Sequence, residues 1–506
     1  MAVSTTRRGF LGSSALLPWL AAAPASRPNI LLAIADDWSW PFASIAGDKT
    51  AKTPAFDRIA REGVLFPNAY TAAPTCTASR GSILTGQWFA RLEQGGDLWG
   101  TLPAKFDVYP DLLERNGYHV GFTGKGWGPG DFKPGGRTRN PAGPEYNQRT
   151  SPPPTKGIHN IDYAQNFAAF FSRRAKGQPF CFWYGGHEPH RPYEAGTGLR
   201  SGKRLADVRL SGGLPDSPEV RGDLLDYALE IEWFDTHLGR IVRMLEEAGE
   251  LDNTLIAVTG DNGLPFPRAK ANLYDNGTHV PLAVRWGARV SGGRTVDDFI
   301  SLPDLAPTFL EAAGVAVLAA VTARSFLDIL ASSNKSGRLD PKRERVFTGR
   351  ERHTLAQPHS TAGYPMRAIR THEYLYVRNY RPDRYPAGID THAANAYRDI
   401  DPGPAKTYMM QHRGDPAVAN LFELGFGKRP SEELYDLRND RAEQRNLAAD
   451  PSRAEVKARL AAELEAQLKT WRDPRATGGG DDFDRYPYYG SLEETNFFDQ
   501  PAPPTK

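Results

Sequence analysis

NILLAIADD, residues 29–37, is an unbroken apolar run that stops abruptly on two acids. Three later stretches repeat the pattern. YHVGFTGKG (118–126) ends on Lys125, PFCFWYGGHEPH (179–190) on His187 and His190, and NTLIAVTGDNG (253–263) on Asp261 and Asn262. Apolar runs without polar alternation, closed by Gly and polar residues, suit strands covered on both faces. Helical patterns lie between them. TPAFDRIAREG (53–63) offers Thr53 as N-cap, Pro54 at the first position and Gly63 at the end. YPDLLERNG (109–117) is a shorter version, and residues 223–249 hold apolar positions at helical spacing over a long stretch. Strands alternating with helices predict an α/β fold, a large and mostly parallel mixed sheet flanked by helices.

In such sheets ligands sit beyond the carboxyl ends of the strands. One polar strand end is ordinary capping; four such ends predict convergence on one site. Asp36, Asp37, Asp261 and Asn262 are hard oxygen donors, suited to calcium or magnesium rather than zinc. The competing reading is a pair of Asx turns, because DNG is also a common turn. Arg80, Lys125 and Lys270 supply positive charge, and His187 supplies a proton donor. A divalent cation among such groups describes a site for a tetrahedral oxyanion, sulfate or phosphate. Cys76 with a nearby histidine is one candidate nucleophile.

CTASRGSILTG, residues 76–86, suggests another. It resembles the signature of the sulfatase family, within the alkaline phosphatase superfamily. ADD after the first strand, GK after a later one, GDNG, and EELYDLRNDRAEQRNLAADP (432–451) match that family in order. GGHEPHRPY (185–193), GDNGLPFPRAKANLY (260–274) and YPMRAIRTHEYLYVRNY (364–380) resemble its N-sulfoglucosamine sulfohydrolase (heparan N-sulfatase) branch. The resemblance implies that a maturation enzyme oxidises Cys76 to Cα-formylglycine, whose hydrate is the nucleophile. It implies one Ca2+, or Mg2+, on Asp36, Asp37, Asp261, Asn262 and the modified Cys76. Arg80 would steady the formylglycine, Lys125 and Lys270 would hold the sulfo oxygens, and His187 would protonate the leaving atom. Two positions depart from the pattern: Ala78 stands where the signature has proline, and Trp127 where the family has histidine. Trp has only an N–H donor and cannot act as a base; His190 or an aspartate is the candidate replacement.

The implied activity is hydrolysis of a sulfated sugar, N-sulfoglucosamine first. An O-sulfatase on another glycan or a small sulfate ester is the alternative. A phosphatase of the same superfamily is disfavoured by the cysteine, and an inactive sulfate- or glycan-binding protein is kept open by Trp127 and Ala78. His190, His353 and Arg350 are candidate substrate contacts; for His353 a surface loop competes, and for Arg350 and Arg352 a solvated basic patch.

The remaining sequence sets the frame. The 506 residues exceed one ordinary domain, and 62 basic against 60 acidic residues give no reason to expect nucleic acid or an anionic membrane as partner. Residues 1–25 read as a signal peptide: Arg7-Arg8 before Phe10-Leu11, a short apolar core, then Ala23-Pro24-Ala25. The arginine pair suggests the twin-arginine route and an exported protein, periplasmic or extracellular. No other stretch approaches the roughly 20 apolar residues of a membrane span. Cys76 and Cys181 are the whole cysteine supply; one bridge between them is the plain expectation for an exported chain, and Cys181 inside PFCFWY also reads as a core residue. Residues 26–350 are expected to form the catalytic domain. Residues 351–475 are expected to form a smaller antiparallel sheet with a hairpin turning at Thr371-His372-Glu373 and an amphipathic helix over 450–473. The tail, 476–506, mixes Gly, Pro, acids and aromatics and reads as irregular, with aromatic rings able to dock. Oligomeric state has no sequence signal.

Overall fold

A computed structural model describes residues 1–2, 27–358, 360–390 and 396–490. The expected leader, apart from its first two residues, and tail residues 491–506 lie outside the described residues. The apolar run at 29–35 is a strand, β1 (Asn29–Ala35), at the heart of an eight-stranded sheet. Its other strands are β2 (Val64–Leu65), β3 (His119–Gly124), β4 (Phe180–Gly185), β5 (Thr254–Gly260), β6 (Leu282–Arg285), β7 (Arg294–Val296) and β8 (Ser336–Gly337). The order across the sheet is β8-β7-β2-β6-β5-β1-β4-β3. β3, β4, β1 and β5 run parallel, and β6 is antiparallel to both its neighbours. Pleating explains the missing polar alternation. Leu31, Ala33 and Ala35 enter one apolar layer and Ile30, Leu32 and Ile34 the other, all without solvent exposure.

Helices cover both layers. α1 (Pro54–Glu62) begins at Pro54 after Thr53, but Thr53 does not cap it. Its hydroxyl donates to Asp57, while the buried carboxylate of Asp235 takes the N–H groups of Ala55 (2.8 Å) and Phe56 (2.7 Å). Asp235 belongs to the long helix α3 (Pro218–Glu247), so α3 satisfies the orphan donors of α1 at the helix crossing. Between them in sequence, α2 (Cys76–Thr85) is buried along all ten residues and closes on Gly86 in the left-handed region (φ 65°). Gly124, the last residue of β3, has φ 73°, and an added Cβ would lie 1.9 Å from the Gly185 carbonyl. Only glycine lets β3 and β4 end side by side there.

A separate four-stranded antiparallel sheet follows: β9 (Arg345–Arg350), β10 (Met366–Thr371), β11 (Tyr374–Asn379) and β12 (Glu432–Asp436). β10 and β11 form the expected hairpin across His372-Glu373. α4 (Ala454–Thr470) lays Leu460, Leu464 and Leu468 on Ile369, Tyr374, Tyr376 and Leu434 of this sheet. The described part of the tail docks: Phe483 is buried, with a ring carbon 2.9 Å from where a Cβ on Gly96 would sit. Cys76 and Cys181 are both buried free thiols, so the single-bridge reading fails and the core reading of Cys181 holds. Cys181 packs in the apolar layer with Tyr118 and Trp183, whereas Cys76 faces the site at the strand ends. No helix among the described residues is long and apolar enough to cross a membrane.

Candidate active site

The four strand ends do meet. Asp36 and Asp37 follow β1, Lys125 follows β3, His187 and His190 follow β4, and Asp261 and Asn262 follow β5. α2 delivers Cys76 and Arg80 to the same place. Cys76 is the first residue of the helix, with its Sγ 3.4 Å from Asp36 Oδ1. Arg80, one turn on, is fully buried. Its Nε donates to Asp261 Oδ2 (2.8 Å), one terminal nitrogen donates to the Lys125 carbonyl (2.7 Å), and the other lies 3.7 Å from Asp36. Ala78 is the third helical residue. The helical ladder starts with Ser79 N–H on the Thr75 carbonyl (2.9 Å), so alanine in place of proline removes no hydrogen bond.

Two lysines complete the charge pattern. Lys125 Nζ reaches Asp36 Oδ2 at 2.5 Å, and Lys270 Nζ lies between Asp37 Oδ2 (2.6 Å) and Asp401 Oδ2 (3.1 Å). Asp37 adopts φ 70°, unusual for a residue with a side chain, and its N–H donates to Asp261 Oδ1 (3.0 Å). Asn262 Nδ2 donates to Asp37 Oδ1 (2.5 Å), while its own Oδ1 is buried with no protein partner. Burial and the neighbouring Asp36 push Asp261 up to about 6. Burial opposes ionisation of Asp36 too, but Lys125, His190 and Arg80 hold it well below the usual carboxylate range. Crowded carboxylates and an orphaned amide oxygen are a set that a hard divalent cation fits. Ligand atoms of Asp36, Cys76 and Asp261 lie within 4.8 Å of one another. Asp37, His190 and Asp401 also cluster, but the Lys270 ammonium is already seated between two of them.

Burial, then the charge of Asp36, raises the Cys76 thiol well above its ordinary value. That shift opposes thiolate formation, so the sulfur is a poor nucleophile as it stands. Burial, stacked His159 (centroids 4.5 Å apart) and Lys125 lower His187 to about 3, so its ring is neutral in the free site. His353 is buried and lines the cleft; burial, then Lys270, keep it neutral, and its Nδ1 has no partner. Its burial in the cleft wall overturns the surface-loop reading. Trp127 lines one wall, its indole Nε1 buried and unpartnered.

These groups floor a cleft of about 740 Å3 that also takes Glu188, His190, Arg398, Asp401 and Lys406. Arg350 does not line it. Its guanidinium is buried on Asp399 and the carbonyls of Ala271 and Pro386, so it braces the loop beneath His353. Arg352 is also buried, 3.4 Å from Asp97 and bonded to the Tyr486 and Pro487 carbonyls. The solvated-patch expectation is corrected for both. Asp401, His159 and Lys406 were missed. They sit on irregular segments with no apolar run or turn signature to single them out.

Residues 28–315 match the family model described as Sulfatase, and residues 268–392 match that of N-sulphoglucosamine sulphohydrolase, C-terminal. The chain is 27% identical to N-sulphoglucosamine sulphohydrolase of Homo sapiens over 90% of its own length and 92% of that protein. It is 26% identical to an ulvan-active sulfatase of Formosa agariphila, over 90% and 76%. A solved structure described as in complex with its substrate D-glucosamine-2-N,6-O-disulfate superposes with TM-score 0.64 at 20% identity, covering 88% of this chain and 98% of that one. That likeness is one of fold, the alkaline phosphatase-like α/β architecture. The Sulfatase model spans more than half of the chain, and the protein belongs to the sulfatase family of sulfuric ester hydrolases.

Proposed function

We propose that the protein is an exported glycan sulfatase that removes the N-sulfo group of a terminal N-sulfoglucosamine, using a formylglycine made from Cys76 by a dedicated maturation enzyme. One observation carries the formylglycine reading: Cys76 sits at the buried N-terminus of α2, its Sγ 3.4 Å from Asp36, amid three cations, three carboxylates and an amide. Burial and Asp36 oppose ionisation of that thiol, which counts against it as a nucleophile in its own right. Once oxidised and hydrated, residue 76 supplies a hydroxyl nucleophile. A Ca2+ held by Asp36, Asp37, Asp261 and Asn262, with Mg2+ the alternative, would add fixed positive charge beside the sulfo group.

The chain's own residues do the rest. Lys125 and Lys270 orient and neutralise sulfo oxygens, and Arg80 fixes Asp261 and the Lys125 backbone behind them. His187 is the proton donor to the leaving nitrogen: its ring, neutral in the free site, takes up a proton once the anionic substrate is bound and passes that proton to the nitrogen as the N–S bond breaks. The N-terminal dipole of α2 favours the negative charge that develops at residue 76. Further substrate contacts in the cleft fall to His190 and to the buried His353.

The N-sulfo choice is supported by the match to the N-sulphoglucosamine sulphohydrolase C-terminal model. An O-sulfatase is the second reading, because an ulvan-active sulfatase and an N-acetylgalactosamine-6-sulfatase are matched at 26% identity, close to the 27% of the human sulphohydrolase. The test is the mass of the peptide containing residue 76, from protein made with a maturation system, followed by a panel of N- and O-sulfated sugars. A drop of about 18 Da, thiol to aldehyde, with N-sulfoglucosamine turned over first, is the expected result. An unmodified thiol in active protein overturns the formylglycine route. Release of O-sulfate alone selects the second reading. An N-terminus near Ser26 on secreted protein tests export.

A further inference from the structure

A second cleft, of about 560 Å3, opens between the large sheet's loops and the small sheet, and it shares no lining residue with the catalytic cleft. It is lined by Trp40, His279 and four arginines: Arg209, Arg370, Arg438 and Arg441. Its acids are already committed. Asp275 meets Arg370 (3.0 Å), His279 (3.1 Å) and Tyr70 (3.0 Å), and Asp48 receives the N–H groups of Thr50 and Ala51. Arg438 is engaged as well, on Asp436 and Glu373.

The donors are in surplus. Arg209 and Arg441 are exposed and make no ion pair or hydrogen bond among the described residues. Arg370 has two buried N–H groups without an acceptor, its nearest second acid being Glu443 at 3.7 Å, and the Ser211 hydroxyl has no partner. Backbone packing brings together the loops that carry these two arginines. An added Cβ on Gly212 would lie 2.3 Å from Ala442 Cβ, so the loops carrying Arg209 and Arg441 touch, and Asn276 Nδ2 ties down the Gly212 carbonyl (3.2 Å). Trp40, half-buried and tilted against His279 (centroids 6.2 Å apart), supplies a flat apolar face in the same cleft.

We propose that this cleft is a non-catalytic binding site for an anionic sugar residue of an oligosaccharide. The pyranose lies against Trp40, and its sulfate or carboxylate group is taken by Arg209 and Arg441. Forked guanidinium donors match a planar or tetrahedral oxyanion, and an aromatic face matches the C–H face of a sugar. The choice of a glycan over other polyanions rests in part on the sulfated-sugar reading of the catalytic site.

The test is calorimetric titration of the intact protein and of an Arg209→Ala/Arg441→Ala variant. The probes are a heparin-derived hexasaccharide and a hexamer of galacturonic acid. A Lys125→Ala protein reports the catalytic cleft separately. Binding of the heparin hexasaccharide should weaken roughly tenfold in the double variant, with unchanged thermal unfolding, and this component should survive in Lys125→Ala. A parallel loss for the galacturonic acid hexamer identifies carboxylate as sufficient; a loss confined to heparin identifies sulfate. Equal affinity of the parent and the double variant for both probes overturns the proposal. Binding is read without turnover, so failure of the hydrolytic reading would leave this result readable.

Discussion

Glu230 and His237, about two turns apart on α3, pull stability in opposite directions with pH. Glu230 is 2% exposed with Oε2 unpartnered, and burial, then Glu188 and Asp226, push it up to about 9. A carboxyl raised in the folded state binds more protons than in the unfolded chain. Its stabilisation is full below about pH 4.5 and is lost as pH rises toward 9. Glu230→Gln should therefore flatten the alkaline side of a melting-temperature profile and stabilise by about 1–3 kcal/mol at pH 8. His237 is fully buried and lowered to about 4 by burial, then Arg240. Its contribution is present above pH 6.5 and is lost as pH falls through 4, so His237→Gln should flatten the acid side. Lys270 is the residue whose loss costs most at the site. Lys270→Ala leaves Asp37 and Asp401 facing each other without their shared cation. We expect activity to be abolished and stability to fall by about 3 kcal/mol, read by denaturant unfolding. Strand-end residues such as Asp36, Lys125 and Asp261 were legible because an apolar run must stop somewhere polar. Asp401, His159 and Lys406 were not, because irregular segments reach the cleft through tertiary packing that leaves no periodic trace.

At the level of elements, the decisive contacts are those that let strands end together. Gly124→Ala would place a methyl against the Gly185 carbonyl at a positive φ and displace the backbone of Lys125. We expect a loss of more than about 2 kcal/mol together with a large fall in kcat, measured on the same preparation. α4 fastens the second sheet through Leu460, Leu464 and Leu468, and Leu464→Ala should cost about 2–4 kcal/mol in denaturant unfolding with little change in KM, since none of the three lines the cleft. The β10–β11 hairpin was readable from its alternation, and α4 from its apolar stripe. The short strands β2, β7 and β8 were not, because two or three residues carry no period. Thr53 illustrates a different limit. The sequence pointed to a local cap, yet the buried Asp235, some 180 residues away, outcompetes it for the helix N–H groups.

For the molecule as a whole, the two sheets are one working unit. β9 ends on Arg350 and leads into His353 in the cleft, the segment after β11 supplies Asp401 and Lys406, and tail residue Tyr488 lines one wall. If the carboxylate cluster holds a divalent ion, exhaustive chelation should remove activity and lower the melting temperature by roughly 2–5 °C, with calcium restoring both. The balanced net charge correctly gave no hint of this cluster, because three carboxylates and three cations cancel within it. The burial of α2 has a further consequence, and it concerns order of events. Residue 76 is 2% exposed at the bottom of a cleft sized for a sugar. A catalyst of protein size cannot reach that sulfur once the sheets have closed over it. If an enzyme rewrites this side chain, its work has to come before the fold closes, and a molecule that closes first keeps the thiol until it opens again.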